Sequence, residues 1–547
     1  MASIKLSVTV RANLARKYSP AALKSVDRAL LDWIAADKAR GIKTVHVALD
    51  DPAAMSAEGV KALTGKVTPN GAKKAIDALA KKLVPDYIVI LGGDDVVPYF
   101  QVDNPSFDPK GDTDPSVPTD NPYASSRAYR AGRLSSYLVP DRVVGRIPDL
   151  PAAKGMGDPA LLVQFLQTAT QWKGEPKSFY ASTSSAYATC CDEWKGAGLA
   201  TMRYLGFPEK DLMISPPTGD ASATARTRLA RPLHFTKGHG SEIDAHFYGQ
   251  KGKSYPEVLF STTVSSRAGK GTLVGAMCCY GAQVYSPSDP VAIPPGALPI
   301  SLSYLATGAT GFVGSTKIAW VGLDEMMCAD WIVAYYLRKC MDGASTGRAL
   351  LEAKQDFLQY LQKQGQEPDT ADEKTMIEFV LLGDPSVHPV RGGAPAAATR
   401  GAPQEDSRAV ARATALRGDR RRARAVIAAQ VESVLPRREA APAPRAEIAQ
   451  ALFNAAAGLM GRAGLAQLDP SDAKASRLVA KPPTASVPTA FRSMVAAASR
   501  QGASPQTTME YTWTGRQVIK NHVRITLLKV HADAEHNVLR SRLLQSA

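Results

Sequence analysis

Two segments place reactive side chains directly after apolar runs: LHFTKGHGSE carries His239, and TLVGAMCCYG carries Cys278 with Cys279 beside it. A thiolate attacks a peptide carbonyl productively when a histidine protonates the leaving amine and backbone N–H groups meet the oxyanion that forms. Gly240 follows His239 and has no side chain to hold a substrate away. Its N–H, with that of Cys278, could make the oxyanion hole. Taken singly, a GHG or an apolar-cysteine segment is ordinary loop or core, since free cysteine is among the most buried residue types. Their joint occurrence at two strand ends raises the expectation of nucleophilic catalysis, because an α/β sheet presents its functional groups at the carboxyl ends of its strands.

The elements that must position these residues are legible up to about residue 390 as short apolar runs alternating with helical patterns. That alternation predicts an α/β fold with a mainly parallel sheet flanked by helices. Strands are expected at Ile4–Val10, Lys43–Ala48, Tyr87–Leu91, Ser178–Ser182, Leu233–Thr236 and Thr272–Met277; helices are expected at Ala21–Ala39, Ala72–Leu83, Leu161–Trp172 and Gly196–Leu205. Asn104–Asn121 is rich in Pro, Asp and Gly and reads as a surface loop. The 547 residues exceed one ordinary core. They divide into an N-terminal α/β subdomain (1–155), a catalytic α/β subdomain (156–390), an Arg/Ala/Pro-rich disordered linker (391–447) and a small C-terminal appendage (448–547). In the last, Ile448, Leu452, Phe453 and Leu459 predict a short amphipathic helix, 465–508 reads as loop, and Val518–Val530 as a strand or hairpin.

The formal net charge of +15 invites a nucleic-acid reading, but much of the excess is arginine after residue 390, so it describes a tail rather than a binding face. No apolar run is long enough to span a bilayer, and the first 20 residues lack the h-region of a secretory signal, so a cytoplasmic location is expected. The six cysteines lack zinc-site spacing and disulfide density, and reduced thiols are expected. His531, Asp533, Glu535 and His536 are metal-ligand types at a spacing that does not put all four on one side. Gly92-Gly93-Asp94-Asp95 lacks the phosphate-loop pattern. No cofactor or metal is assigned.

Several ordered blocks resemble the gingipain family of cysteine peptidases, relatives of caspases and legumains. They are DYIVILGGDDVVP (Asp86–Pro98), DNPYA (Asp120–Ala124) with PDRVVGRIP (Pro140–Pro148), GHGSE (Gly238–Glu242), ATGATGFVGSTKIAW (Ala306–Trp320) and LLGDPSVHPV (Leu381–Val390). The resemblance covers roughly residues 40–390 and implies a caspase-like fold. It makes His239 the general acid/base, Gly240 the oxyanion partner and Cys278 the nucleophile. The family spaces its cysteine three residues before a glycine, here Gly281, which selects Cys278; a caspase-like spacing of two would select Cys279.

The same resemblance implies Asp192, in CCDEW, as the base of an S1 pocket for a substrate Arg or Lys, with Trp320 flanking it. The alternative role of Asp192 is that of a helix N-terminal acid, and that of Trp320 a core residue. Tyr180–Thr189, where arginine-specific relatives carry the acid that orients the histidine, contains no carboxylate. Glu242 and Asp244 lie nearby and read as solvated loop acids. The implied function is an endopeptidase acting on protein or peptide substrates with basic P1 residues. Since proteolysis concentrates in flexible linkers, such an enzyme is also expected to cut its own arginine-rich segment between about residues 391 and 445, at Arg417, Arg420, Arg421, Arg422, Arg424, Arg437 or Arg438. The alternative is an inactive caspase-like scaffold.

Overall fold

The computed structural model describes residues 3–391, 437–460, 465, 468–479, 508–519 and 522–546. The strands in chain order are β1 Ser3–Thr9, β2 Ile42–Ala48, β3 Tyr87–Leu91, β4 Phe100–Asp103, β5 Ser116–Thr119, β6 Val144–Ile147, β7 Ala186–Cys191, β8 Met213–Ser215, β9 Leu233–Lys237, β10 His239–Gly240, β11 His246–Tyr248, β12 Glu257–Phe260, β13 Leu273–Met277, β14 Gly311–Ser315, β15 Trp320–Gly322 and β16 Phe379–Leu382. The C-terminal part adds β17 Arg437–Ala441, β18 Lys474–Val479, β19 Thr508–Ile519, β20 His522–Ala532 and β21 Val538–Ser546.

Ten strands form the central sheet in the order β2-β1-β3-β6-β16-β14-β13-β9-β7-β8. Every neighbouring pair is parallel except β14 with β16, so two five-stranded parallel halves meet back to back at one antiparallel seam. Parallel strands require crossovers, and the helices that supply them cover both faces, which is why β3 and β13 read as short, almost wholly apolar runs and every residue of β9 and β14 is buried. The α/β class with a mainly parallel, helix-flanked sheet is therefore as the alternation predicts. Helix Pro20–Ala39 shows the local logic: Ser19 caps it through the Ala22 N–H, Pro20 opens it, and Leu23, Val26 and Leu30 bury one stripe.

The family-like blocks of the first half form one buried clamp. Arg146 donates to both oxygens of Asp120 (2.6 and 3.0 Å) and to the carbonyls of Gly92, Gly93 and Val97. Asp384, from the closing Gly-Asp-Pro-Ser block, accepts from Lys5 Nζ at 2.7 Å and Trp33 Nε1 at 3.0 Å.

The C-terminal region is larger in structural consequence than an appendage. Strands β15-β21-β20-β19-β18-β17 make a six-stranded antiparallel sheet, with β15 contributed by the part carrying the cysteines. Side chains alternate along its strands, as period-two geometry requires. Tyr511, Trp513, Leu528, Val530 and Leu543 pack under helix Ala446–Met460, while Ile525, Leu527 and Leu544 pack on Trp320, Cys328 and Ala371.

Four local readings are corrected. Ser178–Ser182 is not a strand: Lys177–Ala181 is a single helical turn whose Tyr180 is buried and donates to Gly271 O, an apolar run too short for periodicity to classify. Asn104–Asn121 is not a surface loop, because it contains β5 and buries Asp108 and Asp112 against Lys474 and Lys374, partners supplied from hundreds of residues away. The 465–508 loop reading meets β18, which is paired on both sides. The linker span has strand at Arg437–Ala441 and helix from Ala446; residues 392–436 of it lie outside the described residues.

Candidate active site

Strand β9 lies between β13 and β7, all parallel, with Met277 beside Lys237 and Lys237 beside Cys190. The chain leaves β7 outward to β8 and returns inward to β9, so the order reverses between β7 and β9, where open α/β sheets form their crevice. His239 follows β9, Asp192 follows β7, and the cysteine pair follows β13. The expected strand-end positions are thus brought to one edge.

The His239 ring lies against Trp194 (centroids 4.6 Å apart) and Tyr255 (5.1 Å). Its Nε2 is 2.8 Å from Gln250 Oε1, and Gln250 Nε2 donates in turn to Gly252 O, so the amide oxygen faces the ring and the Nε2 proton meets it. A neutral amide thus stands at the ring where the sequence offered no acid. Glu242 is exposed and 3.5 Å from Lys317. Asp244 is not the solvated acid expected: its side chain is only 3% exposed and accepts from Tyr248 Oη at 2.9 Å, with His246 Nδ1 at 2.8 Å.

Both thiols are shut in. Cys278 Sγ donates to Thr236 O at 3.5 Å, and the Gly238 N–H donates to it. Cys279 Sγ accepts from the Ala319 N–H at 3.3 Å and lies 3.8 Å from Ala319 O. Burial pushes both thiols above their ordinary range; the backbone N–H bonds work the other way without overcoming it. Gly240 is needed for a steric reason as well: a Cβ there would collide with the Cys279 carbonyl, so only glycine lets the two strand-end loops meet.

Asp192 opens a short 3-10 turn, is about a third exposed, and holds Lys251 Nζ at 3.4 Å; its N–H bonds Gln250 O. Trp320 is fully buried in β15 beneath Leu544 and Leu527, and its Nε1 has no hydrogen-bond partner. Asp330 ties this strand to the histidine strand: it accepts from Lys237 Nζ at 2.5 Å and from the Gly322 N–H at 2.9 Å, all three buried. Sequence reading missed Trp194, Gln250, Lys237 and Asp330. A charged residue at the end of an apolar strand, Lys237, was the available signal. Gln545, whose Oε1 accepts from Trp194 Nε1 at 2.9 Å from across the chain, offered none.

The four metal-ligand types near residue 531 separate. Asp533 closes a turn with Asn537, and His536 Nδ1 meets Tyr511 Oη at 2.7 Å. His531 instead joins Asp369 and Glu510, whose ligand atoms all lie within 4.8 Å. Lys529 Nζ stands 3.5 Å from Glu510 and 3.9 Å from Asp369, and Arg542 pairs with Asp369 and Asp372 at 2.6 and 2.7 Å. Side-chain cations already fill the places a metal would take. These neighbours hold Glu510 down at about 2 and Asp369 well below the usual carboxylate range, against the opposing effect of burial.

Residues 228–390, which contain His239, Gly240, Cys278 and Cys279, match the model of peptidase family C25, the gingipain family. That match supports the cysteine-peptidase class for this part of the chain. No curated protein matches the sequence. A solved structure described as "Structure of Protease" is 11% identical, with a TM-score of 0.45, over 100% of this chain and 97% of the other.

Proposed function

We propose that the chain is a cysteine endopeptidase that cleaves after Arg or Lys. The observation that carries this is the C25 match over residues 228–390, inside which His239 and the cysteine pair follow adjacent parallel strands. In this reading the Cys278 thiolate attacks the scissile carbonyl and the backbone N–H groups of Gly240 and Cys278 receive the oxyanion. His239 delivers its proton to the leaving amine, and water then releases the acyl group from sulfur. Asp192 pairs with the substrate guanidinium or ammonium; its present contact with Lys251 supports a site suited to a cation. Glycine at 240 also suits close approach of a substrate backbone.

A second assignment of the nucleophile, Cys279, keeps the caspase-like spacing of two before Gly281 and is favoured by the packing of its carbonyl against Gly240, next to His239. Both cysteines lie just beyond β13, in the turn that follows it. Single alanine variants decide the matter. Under the first assignment Cys278→Ala abolishes hydrolysis of a Lys- or Arg-containing peptide and Cys279→Ala keeps most of it; the reverse pattern moves the role to Cys279. Full activity in both variants, or in His239→Ala, would sink the peptidase reading altogether. An inactive scaffold is favoured by the burial that raises both thiols, yet a covered resting enzyme would look the same.

Self-processing is part of the proposal. Arg417, Arg420, Arg421, Arg422 and Arg424 remain candidate bonds. Arg437 and Arg438 are poor candidates, since both lie in β17 and Arg438 is paired with Glu510 at 2.5 Å. Wild-type protein should convert to a shorter species while the inactive cysteine variant stays whole. A cytoplasmic location belongs to the same proposal and fits six free thiols; no helix among the described residues is long and apolar enough to cross a membrane.

A further inference from the structure

The candidate site is closed by a part of the chain remote in sequence. β21 lies antiparallel along β15, with Ser546 beside Trp320, Gln545 beside Val321 and Leu544 beside Gly322. β15 begins one residue after Ala319, whose N–H holds Cys279 Sγ. Its other anchor is Asp330, bonded to the strand that presents His239. From β21, Gln545 reaches the indole that lies on His239. An extended peptide adding to a sheet edge satisfies its backbone through that edge and its side chains through the pockets on either face. The edge of β15 starts beside Ala319, which holds Cys279, and ends at Gly322, which Asp330 ties to the histidine strand; β21 fills it.

We infer that β21 is an intrasteric cover: the chain's own last strand holds the peptide-binding edge of β15, and peptides gain the thiols only when β21 leaves it. The inference rests on the peptidase reading for its catalytic consequence, but not for its geometry. The docking face is built for release rather than for permanence. Its apolar part is small, Trp320, Cys328, Ala371, Ile525, Leu527 and Leu544. Ionic pairs make up much of the rest: Arg542 with Asp369 and Asp372, Lys529 with Asp369, and Lys474 with Asp108. Buried ion pairs add little net stability over apolar packing because both partners lose their water, while they fix one register of docking. Trp320 Nε1 and Arg542 Nε are left beneath the cover without acceptors, a cost that separation removes. The opposite face of the same sheet is sealed by aliphatic and aromatic packing under helix Ala446–Met460, so the sheet can part from β15 and stay folded.

The test uses the full chain as wild type, Leu544→Lys and Gln545→Ala. Iodoacetamide labelling of each cysteine is followed by mass spectrometry, alongside hydrolysis of an Arg-containing peptide. Cys340, buried in helix Ala329–Met341 away from the cover, reports retention of the fold. Labelling of Cys279 and Cys328 should rise about tenfold in the variants, as for a locally opened segment, with Cys340 still protected and hydrolysis rising in parallel. Faster labelling without hydrolysis keeps the cover and defeats the peptidase reading. Unchanged labelling in both variants, or wild-type hydrolysis as fast as theirs, overturns the inference. Should either variant lose protection at Cys340, amide exchange of the wild type decides: residues 320–322 and 538–546 must open together and ahead of β9 and β13, and exchange only on global unfolding rejects the cover.

Discussion

The two halves of the central sheet are alike in architecture and opposite in what closes their carboxyl ends. In the first half the loops after β3 and β6 converge on Arg146 and Asp149: Arg146 satisfies three loop carbonyls and both oxygens of Asp120, and Asp149 accepts from the Gly93 N–H and Tyr18 Oη. That edge is sealed by groups from its own loops, which would be left charged or unpaired in the interior by any opening. In the second half the loops after β7, β9 and β13 leave His239, Asp192 and the cysteines at the edge, and closure comes from β21, nearly 270 residues after Cys278 in the chain. The difference teaches that burial alone does not distinguish a structural edge from a functional one. Whether the covering group is intrinsic or can be removed does.

The largest expected effect breaks the first half. Arg146→Ala strands Asp120 and three carbonyls in the core and should lower stability by about 3–5 kcal/mol, read by chemical denaturation. A loss no larger than that of an exposed substitution would show the clamp to be dispensable and the comparison mistaken.

The next effect sharpens the second half. Asp192 is part-exposed and paired only with the exposed Lys251, so Asp192→Ala should leave the fold intact. Its consequence should fall on kcat/KM for Arg and Lys substrates, a drop of about 10- to 100-fold, as for loss of a charge-assisted hydrogen bond. Equal losses on basic and apolar P1 substrates would remove Asp192 from specificity.

The smallest concerns the cover's charge balance. Burial raises the Glu373 carboxyl to about 7, with Glu510 and Asp369 adding to it and Arg438 and Lys529 opposing it. A carboxyl raised on folding contributes stability that is complete below its ordinary value near 4.5 and is lost as pH rises through about 7. Glu373→Gln should remove that loss, so its Tm should exceed that of wild type by about 2–4 °C at pH 8 and not at pH 4. The same difference at both pH values would mean that Glu373 does not titrate in this window.

Residue patterns alone determined the α/β class, most strand and helix positions before residue 390, and the placement of His239 and the cysteines at strand ends. These are local properties: where short apolar runs alternate with helical patterns the runs are buried strands, and the residue after each emerges at the sheet edge; a single short run such as Ser178–Ser182 does not decide between strand and helix. The closing Gly-Asp-Pro-Ser block shows where that logic stops, since its sequence marks Asp384 but not the Lys5 and Trp33 that hold it. Only the tertiary structure decided that Asn104–Asn121 buries Asp108 and Asp112, that Gln250 Oε1 meets His239 Nε2, that Arg438 pairs with Glu510, and that β21 lies on β15. Each depends on a partner far away in the chain, and pairing across such distances is set by which faces remain to be buried once the local elements exist. Composition described 391–547 as a linker and a small appendage because alanine and arginine carry little strand signal; β20 and β21 become a sheet by packing one face on their own helix and the other on Trp320.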